Sequence, residues 1–317
     1  MNSGMRAKTI KSIISRKVAK WIETIEDKDL REKVSQAVIV TGGCIVSMLM
    51  GEEVNDFDLY LRDHDTCLKL AEYYVGKFEA KKKKGISVPL SVFDEDGRIK
   101  IIVKSSGIAS HEGSELPYQY FEGSPDEQGA DYVQEIITDP IKVEDVYQDT
   151  EAKALATETK PKAEYKPVLL TTNAITLSDK IQIVVRFYGE PDKIHGNYDF
   201  VHCTCYWTSW NNELVLRPLA LEAILAKELQ YVGSKYPICS MVRVRKFLQR
   251  GWKINAGQIL KMAMQISELN LKDLKVLEDQ LTGVDTAYFV QLLDRLKAKD
   301  PEKVDAAYLV EIVDRIF

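Results

Sequence analysis

The sequence lacks the features that would place the protein in a membrane or in an oxidising compartment. It has no run of about 18 consecutive apolar residues, the length that a membrane-spanning helix needs. The first twenty residues are polar and basic, without the apolar centre of a secretory signal peptide. The five cysteines are odd in number and scattered, and no two are separated by two residues. We therefore expect a cytoplasmic protein, of a cell or of an infected host, with reduced thiols and no membrane partner.

A strong excess of basic residues is also lacking. The formal net charge of −5 argues against a protein that coats DNA non-specifically, so any contact with nucleic acid has to come from a local basic patch. The chain has 317 residues, of which 45% are hydrophobic and 29% are charged. That length and composition allow a large core and more than one domain.

One stretch, residues 37–60, carries most of the chemical information. An apolar, β-branched run ends at Gly42 and Gly43, a segment of helical character follows, and a second apolar run contains Asp56 and Asp58. This pattern predicts a strand, a glycine turn, a helix and an acidic strand. Side chains two residues apart on a strand share a face, so the two aspartates should project together. Close carboxylates repel each other unless a cation lies between them, and oxygen ligands of this kind suit Mg²⁺ with substrate phosphates.

The rest of the sequence predicts an α/β (α+β) chain with a mixed sheet and helices. We expect a helical lead-in at residues 1–35, a catalytic domain at 36–211 and a helical domain at 212–317. Within the catalytic domain, an acidic region at about 105–166 has a loose pattern and is interpreted as an insertion. Strand character is strong at 180–187, and a further strand is predicted at 199–203.

The end of the chain contains an internal repeat with an offset of twenty residues. Residues 284–296 recur as 304–316, with apolar side chains at helical spacing and with Asp285 and Asp305 suited to cap the two helices. Two copies are too few for a solenoid. We predict a pair of helices that either caps the domain or presents an apolar face to a protein partner.

The glycine pair, residues 44–55 and the run from Asp56 to Leu59 resemble the signature of the polymerase-beta-type nucleotidyltransferase superfamily. That superfamily includes poly(A) polymerases and CCA-adding enzymes, and its pattern is Gly, then Gly or Ser, a gap of similar length, and alternating acidic and apolar residues. The layout of residues 178–206 is similar to that of phage- and virus-encoded members. The resemblance implies a nucleotidyltransferase-like sheet followed by a helical domain.

The resemblance also implies roles for individual residues. Asp56 and Asp58 would bridge two Mg²⁺ ions, with Mn²⁺ as an alternative, and Asp199 would complete the ion that activates the acceptor hydroxyl. The turn at Gly42 and Gly43 would let backbone N–H groups approach a triphosphate at a helix N-terminus. Ser47, one turn further along, would add a hydroxyl donor.

Two departures from the family pattern concern the helix after the glycines. Many members have a serine directly after the glycine pair, where this chain has Cys44. Members that act on tRNA carry an arginine in the helix, where residues 45–50 are all neutral. The sequence therefore argues against a CCA-adding assignment.

A basic cluster lies in the predicted helical domain, within eleven residues that contain no acid. Its members are Arg243, Arg245, Lys246, Arg250 and Lys253. In the family a helical domain closes over the nucleotide, which implies that Lys246 and Arg250 contact phosphate or RNA. The alternative is a solvated basic face with Phe247 in the core. A confined cluster suits a short RNA segment better than a long duplex.

Four further residues have alternative interpretations. His202 is predicted to be structural although it lies close to Asp199 in sequence. Asn173 and Gln182 are candidates to contact a base or ribose, and a turn cap and an edge-strand amide explain them equally well. His195 belongs to a Gly/Pro loop in which we predict only a turn.

The predicted function is Mg²⁺-dependent transfer of a nucleoside monophosphate from an NTP, such as ATP, to a hydroxyl. The acceptor is an RNA 3′ end, a protein side chain or a small molecule, and the sequence does not choose among them. One alternative is a catalytically inactive nucleotidyltransferase fold that acts as an interaction or virion-associated module. The other is a toxin-type nucleotidyltransferase that modifies host tRNA or protein.

Overall fold

The computed structural model describes residues 4–81, 90–103, 165–171 and 173–271, together with residues 273, 276 and 280. Nearly all of the predicted acidic insertion and the whole C-terminal repeat lie outside these residues. No helix in the described ranges is long and apolar enough to cross a membrane.

The first part of the chain contains both helices and strands, and the last described elements are helices. The helices are α1 (Ala7–Ile22), α2 (Lys28–Ser35), α3 (Gly43–Met50), α4 (His64–Lys81), α5 (Pro191–His195), α6 (Pro218–Ala226), α7 (Pro237–Gln249) and α8 (Ala256–Ser267). The strands are β1 (Val38–Thr41), β2 (Phe57–Leu61), β3 (Leu90–Glu95), β4 (Arg98–Val103), β5 (Pro167–Leu170), β6 (Ala174–Leu177), β7 (Ile181–Tyr188), β8 (Tyr206–Thr208) and β9 (Glu213–Val215).

The chain divides into two compact units. Among the described residues, the first unit contains those up to 196 and those from 203 to 217, and the second contains residues 197–202 and those from 218 onward. The predicted boundaries of the lead-in, the catalytic domain and the helical domain stay predictions.

Seven strands of the first unit form one mixed sheet in the order β5-β6-β7-β2-β1-β8-β9. Strands β2 and β7 run parallel, and the other neighbouring strands in this sheet run antiparallel. Strands β3 and β4 form a separate antiparallel hairpin, as the turn-forming residues between them predict. The predicted fold class, α/β with a mixed sheet and helices, is therefore confirmed.

The predicted strand, glycine turn, helix and acidic strand correspond to β1, α3 and β2. All four residues of β1 are buried, which agrees with its β-branched, apolar sequence. Helix α3 ends at Gly51, whose φ of 69° is the left-handed conformation that glycine adopts without a steric penalty. This local prediction succeeds because each element is specified by its own residues.

The helical lead-in packs on α4 within the first unit. Helix α1 buries Ile10, Ile14, Val18 and Trp21, which lie on one face. The indole N–H of Trp21 donates a buried hydrogen bond to the hydroxyl of Tyr74 on α4, at 2.7 Å. Helix α2 is separate from α1 and begins at Asp27, whose side chain accepts from the N–H of Leu30 at 3.0 Å.

The strand predicted at residues 199–203 is wrong. Phe200 makes only an isolated bridge to Tyr231, and Val201–Thr204 forms a 3₁₀ turn. The apolar, β-prone character that predicted a strand instead accompanies the burial of Phe200 and His202. A short apolar run does not by itself distinguish a strand from another buried segment.

Replacing Tyr74 by Phe should lower the free energy of unfolding by about 1 to 3 kcal/mol, because the buried indole N–H of Trp21 loses its acceptor. Chemical denaturation measures this loss. Tyr73→Phe is the matched control, since the Tyr73 hydroxyl accepts from an exposed backbone N–H, that of Glu26, which water can satisfy. If both variants lost the same free energy of unfolding, the hydrogen bond from Trp21 to Tyr74 would not have the stabilising role that we assign to it.

Candidate functional site

The turn between β1 and α3 is fixed by its backbone conformation. Gly42 has φ of 90° and ψ of −148°, a region that side chains rarely permit. Its N–H donates to the carbonyl oxygen of Cys203 at 3.2 Å. A Cβ added to Gly43 would meet no atom within 4 Å, so the space beside the first residue of α3 is open. A helix N-terminus with such access can stabilise an anion.

Asp58 lies on the sheet directly beside this turn. It pairs with Thr41 on β1 and with Gln182 on β7. Asp58 is half-buried, whereas its neighbours Phe57 and Leu59 are buried, so Asp58 points away from their side of the sheet. Asp56 is exposed and immediately precedes β2.

Cys44 connects the turn with the two aspartates. Its thiol is 2% exposed and donates to the carbonyl oxygen of Thr41 at 3.8 Å. Burial first, and then the negative charges of Asp58 and Asp56, raise the pKa of the Cys44 thiol well above its ordinary value. Both carboxylates therefore lie close enough to the first turn of α3 to act on it electrostatically. The structure brings together the glycine turn, Asp56 and Asp58.

Asp58, the two residues paired with it and the next residue paired on each side form a line of polar side chains across the sheet. We call it the polar row, and its members are Thr176 on β6, Gln182 on β7, Asp58 on β2, Thr41 on β1 and Tyr206 on β8. Directly paired residues on neighbouring strands share a face of the sheet. Thr41 is buried next to the glycine turn, and the other four members of the polar row are half-buried.

His195 holds the end of β1 in place. The hydroxyl of Thr41 lies 2.9 Å from the carbonyl oxygen of Cys205 and 2.8 Å from Nε2 of His195. Because the hydroxyl has one proton to donate to a carbonyl, we assign the proton on the imidazole to Nε2, which donates to Thr41. Burial, and then the nearby charge of Arg217, lower the pKa of His195 to about 4, so the ring is neutral at pH 7. The sequence assigned His195 only to a turn, and no local signal indicates a partner 154 positions away.

Asp199, the predicted third carboxylate, belongs to the second unit. It is 5% exposed, and its side chain forms an ion pair with Arg243 of α7. Its backbone oxygen also accepts from the N–H of Val232 at 3.0 Å. Its predicted part in metal binding stays a prediction.

The basic cluster lies on and just after α7, as its helical spacing predicts. Phe247 is half-buried and contacts the ring of His202 edge-on, with centroids 4.7 Å apart. Lys246 is half-buried and Arg250 is exposed. In the first unit, Ser47 of α3 is 5% exposed. The predicted phosphate contacts of Lys246, Arg250 and Ser47 stay predictions.

His202 is the centre of an aromatic cluster in the second unit. Its ring lies 4.3 Å from that of Trp252 and 4.7 Å from that of Phe247, measured between centroids. The side chain is fully buried, and neither ring nitrogen has a hydrogen-bond partner in the part of the chain that the structure describes. Burial, and then the charge of Arg250, lower the pKa of His202 to about 3. These contacts agree with a structural role.

The carboxylate oxygens of Asp56 and Asp58 in the first unit suit a cation that binds together with a nucleotide. Within the described ranges, no group of three or more histidine, cysteine, aspartate or glutamate side chains is placed to hold a metal ion. Asp56 and Asp58 nevertheless provide carboxylate oxygens beside the glycine turn. Mg²⁺ is commonly bound through one or two carboxylates, with water and substrate phosphates as its other ligands. The pair is sufficient for that mode of binding.

A family model described as Gabija anti-defense 2 family protein matches residues 12–227. The matched range includes β1, α3, β2 and the whole polar row, and it ends before α7. No curated protein matches the chain.

Solved structures of tRNA-processing enzymes are distantly similar to the chain. The Thermotoga maritima CCA-adding enzyme complexed with tRNA has 12% identity and a TM-score of 0.37, over 89% of this chain and 53% of that one. A CCA-adding enzyme in apo form I has 10% identity and a TM-score of 0.41, over 92% and 53%. A tRNA-processing enzyme with CTP has 10% identity and a TM-score of 0.39, over 85% and 55%. The chain thus spans about half the length of these proteins, and similarity at this level assigns no activity.

The stability of the second unit should depend on pH through His202. The pKa of His202 is near 6.5 in the unfolded chain and about 3 in the folded cluster. The contribution of His202 to the free energy of unfolding is therefore fully present above about pH 6.5 and is lost as the pH falls toward 3. His202→Phe keeps an aromatic ring and removes the titrating group. Denaturation at pH 7 and pH 5 should show that the wild type loses about 2 kcal/mol more than the variant. The same loss in both proteins would show that His202 does not titrate in this way.

Proposed function

We propose that this chain, which belongs to the Gabija anti-defense 2 family, transfers a nucleoside monophosphate from an NTP to a hydroxyl acceptor. The observation that carries the proposal is the convergence of the glycine turn, Asp56 and Asp58 beside one another in the first unit. An anion-stabilising helix start and a pair of carboxylates are what a complex of Mg²⁺ and triphosphate requires.

The family description favours an acceptor that takes part in a defence over an acceptor in ordinary tRNA maturation. The absence of an arginine from α3 supports the same choice, because residues 45–50 are all neutral. We therefore propose that the chain counteracts the defence for which the family is named by attaching a nucleotide to an RNA 3′ end, a protein side chain or a small molecule.

The residues of the turn bind and orient the triphosphate. The open space at Gly43 allows phosphate oxygens to approach the first N–H groups of α3. Thr41, held by His195, keeps the end of β1 in register with Asp58. The raised pKa of Cys44 keeps its thiol protonated at pH 7, so that it adds no negative charge against the phosphates.

Asp56 and Asp58 are the residues that would hold the cation. Asp56 and Asp58 would bind Mg²⁺, which when present neutralises charge on the α-phosphate and on the departing pyrophosphate. In the reaction the acceptor oxygen forms a bond to the α-phosphorus and loses its proton to water, and the bond between the α-phosphorus and the bridging oxygen breaks. The products are the nucleotide ester of the acceptor and pyrophosphate.

A second candidate function is binding without transfer. It is favoured by the family description, which names an action against a defence and names no reaction. A catalytically inactive nucleotidyltransferase fold would then act against the defence as an interaction module. Nucleotide binding without label transfer would distinguish it from the enzyme.

Label transfer tests the enzyme directly. Purified protein is incubated with Mg²⁺, total RNA and each α-³²P-labelled NTP in turn, beside an Asp56→Asn/Asp58→Asn variant that keeps the shape of both side chains. We expect label to enter RNA or protein with the wild type and to fall at least about 100-fold in the variant, because the cation loses both carboxylates. Equal labelling by both proteins would show that the aspartates are not catalytic.

A substitution at Gly43 tests the role of the turn in binding. Gly43→Ala meets no atom in the folded protein, so it should leave the thermal midpoint unchanged. It should nevertheless weaken NTP binding about tenfold, because the added methyl group occupies the space that the phosphates approach. Gly76→Ala, on α4, also meets no atom within 4 Å and is the matched control that should leave affinity unchanged. Calorimetric titration measures both, and equal affinities would exclude phosphate binding at the turn.

A further inference from the structure

We infer that Gln182 supplies the third protein ligand to the cation, through its side-chain amide oxygen, beside Asp56 and Asp58. The inference rests on the proposed function, because it concerns the same cation. A neutral side chain on β7, the strand adjacent to β2, would then take the place of the third carboxylate that the family resemblance led us to expect.

The register of β2 and β7 places Gln182 next to Asp58. The two strands are parallel, and the pairs on either side of Asp58 and Gln182 are Phe57 with Ile181 and Leu59 with Ile183. All four of those flanking side chains are buried, whereas Asp58 and Gln182 are both half-buried. Asp58 and Gln182 therefore extend side by side from the same face of the sheet.

The spacing of neighbouring strands suits a shared cation. Adjacent strands lie about 4.8 Å apart, and the side chains of paired residues start from that separation. Ligand oxygens at adjacent corners of a Mg²⁺ octahedron are about 3 Å apart, since each lies about 2.1 Å from the ion. Two flexible polar side chains on paired strands can close this difference without moving the backbone.

The amide of Gln182 is available for such a contact. Strand β7 pairs with β2 on one side and with β6 on the other. Gln182 therefore does not lie on an edge strand, although the alternative interpretation of its sequence assumed that it does. In the part of the chain that the structure describes, the side chain of Gln182 makes no hydrogen bond. An amide that is half-buried and not held by another protein group can turn its oxygen toward a bound cation.

The charge of Asp199 is accounted for without a metal. Its side chain is 4% exposed and is paired with the guanidinium of Arg243. A buried carboxylate in an ion pair of this kind is costly to separate from its partner. The ion pair with Arg243 therefore explains the burial of Asp199, whereas Gln182 is the polar residue paired with Asp58 on β7.

A neutral third ligand has a consequence for affinity. Two carboxylates and one amide carry two negative charges, and an amide oxygen is a weaker ligand than a carboxylate oxygen for a hard cation. The phosphates of the nucleotide then supply the remaining negative charge. We expect weak binding of the cation alone and much tighter binding in the presence of NTP.

The test measures the affinity of the full chain for Mn²⁺ alone, by electron paramagnetic resonance of the free ion. Gln182→Glu adds a carboxylate of the same shape and should tighten binding about tenfold, whereas Gln182→Leu removes the oxygen and should weaken binding several-fold. Thr176→Glu is the matched control, because it adds the same charge one strand further from Asp58. It should change the affinity by less than about twofold.

Two further variants separate the possible failures. If Asp58→Asn does not weaken Mn²⁺ binding, the proposed function itself is wrong. If Asp58→Asn weakens it while both Gln182 variants bind as the wild type does, the metal site stands and only the role of Gln182 is overturned. Should Gln182→Leu not fold, Gln182→Glu and Gln182→Asn carry the same test.

Discussion

The antiparallel pairing of β1 with β2, which sets Thr41 opposite Asp58, is the constraint on which the candidate site depends. A shift of this pairing by one residue would turn Asp58 toward the buried side and bring Leu59 to the site, because side chains alternate along a strand. The buried residues of β1 and the hydrogen bond between Thr41 and His195 oppose such a shift. The position of the carboxylate is thus determined by the packing of apolar residues that take no part in the chemistry.

The local parts of the site could be predicted from sequence, because short runs of residues determine them. The turn at Gly42, the acidic strand β2 and the helical spacing of the basic cluster are all of this kind. Contacts between distant positions could not be predicted. Thr41 and His195 are 154 residues apart, and the neighbour of Asp58 on β7 depends on strand order, which no local pattern specifies. The strand predicted at residues 199–203 failed for the same reason, since Phe200 and His202 are buried by aromatic rings from later in the chain.

In each unit, buried residues hold charged side chains in position. In the first unit, the neutral ring of His195 holds Thr41, which pairs with Asp58, and the protonated thiol of Cys44 lies near Asp58 and Asp56. In the second unit, the buried Asp199 and the aromatic cluster around His202 hold the basic helix α7 in position.

Anomalous diffraction from crystals grown with Mn²⁺ and a non-hydrolysable ATP analogue tests the central claim most directly. The account predicts a manganese peak bonded to a carboxylate oxygen of Asp58, with the triphosphate lying over Gly43 at the start of α3. The amide oxygen of Gln182 should then be turned toward the same ion. A nucleotide bound away from the turn, or a manganese ion that makes no contact with Asp56 or Asp58, would contradict the account.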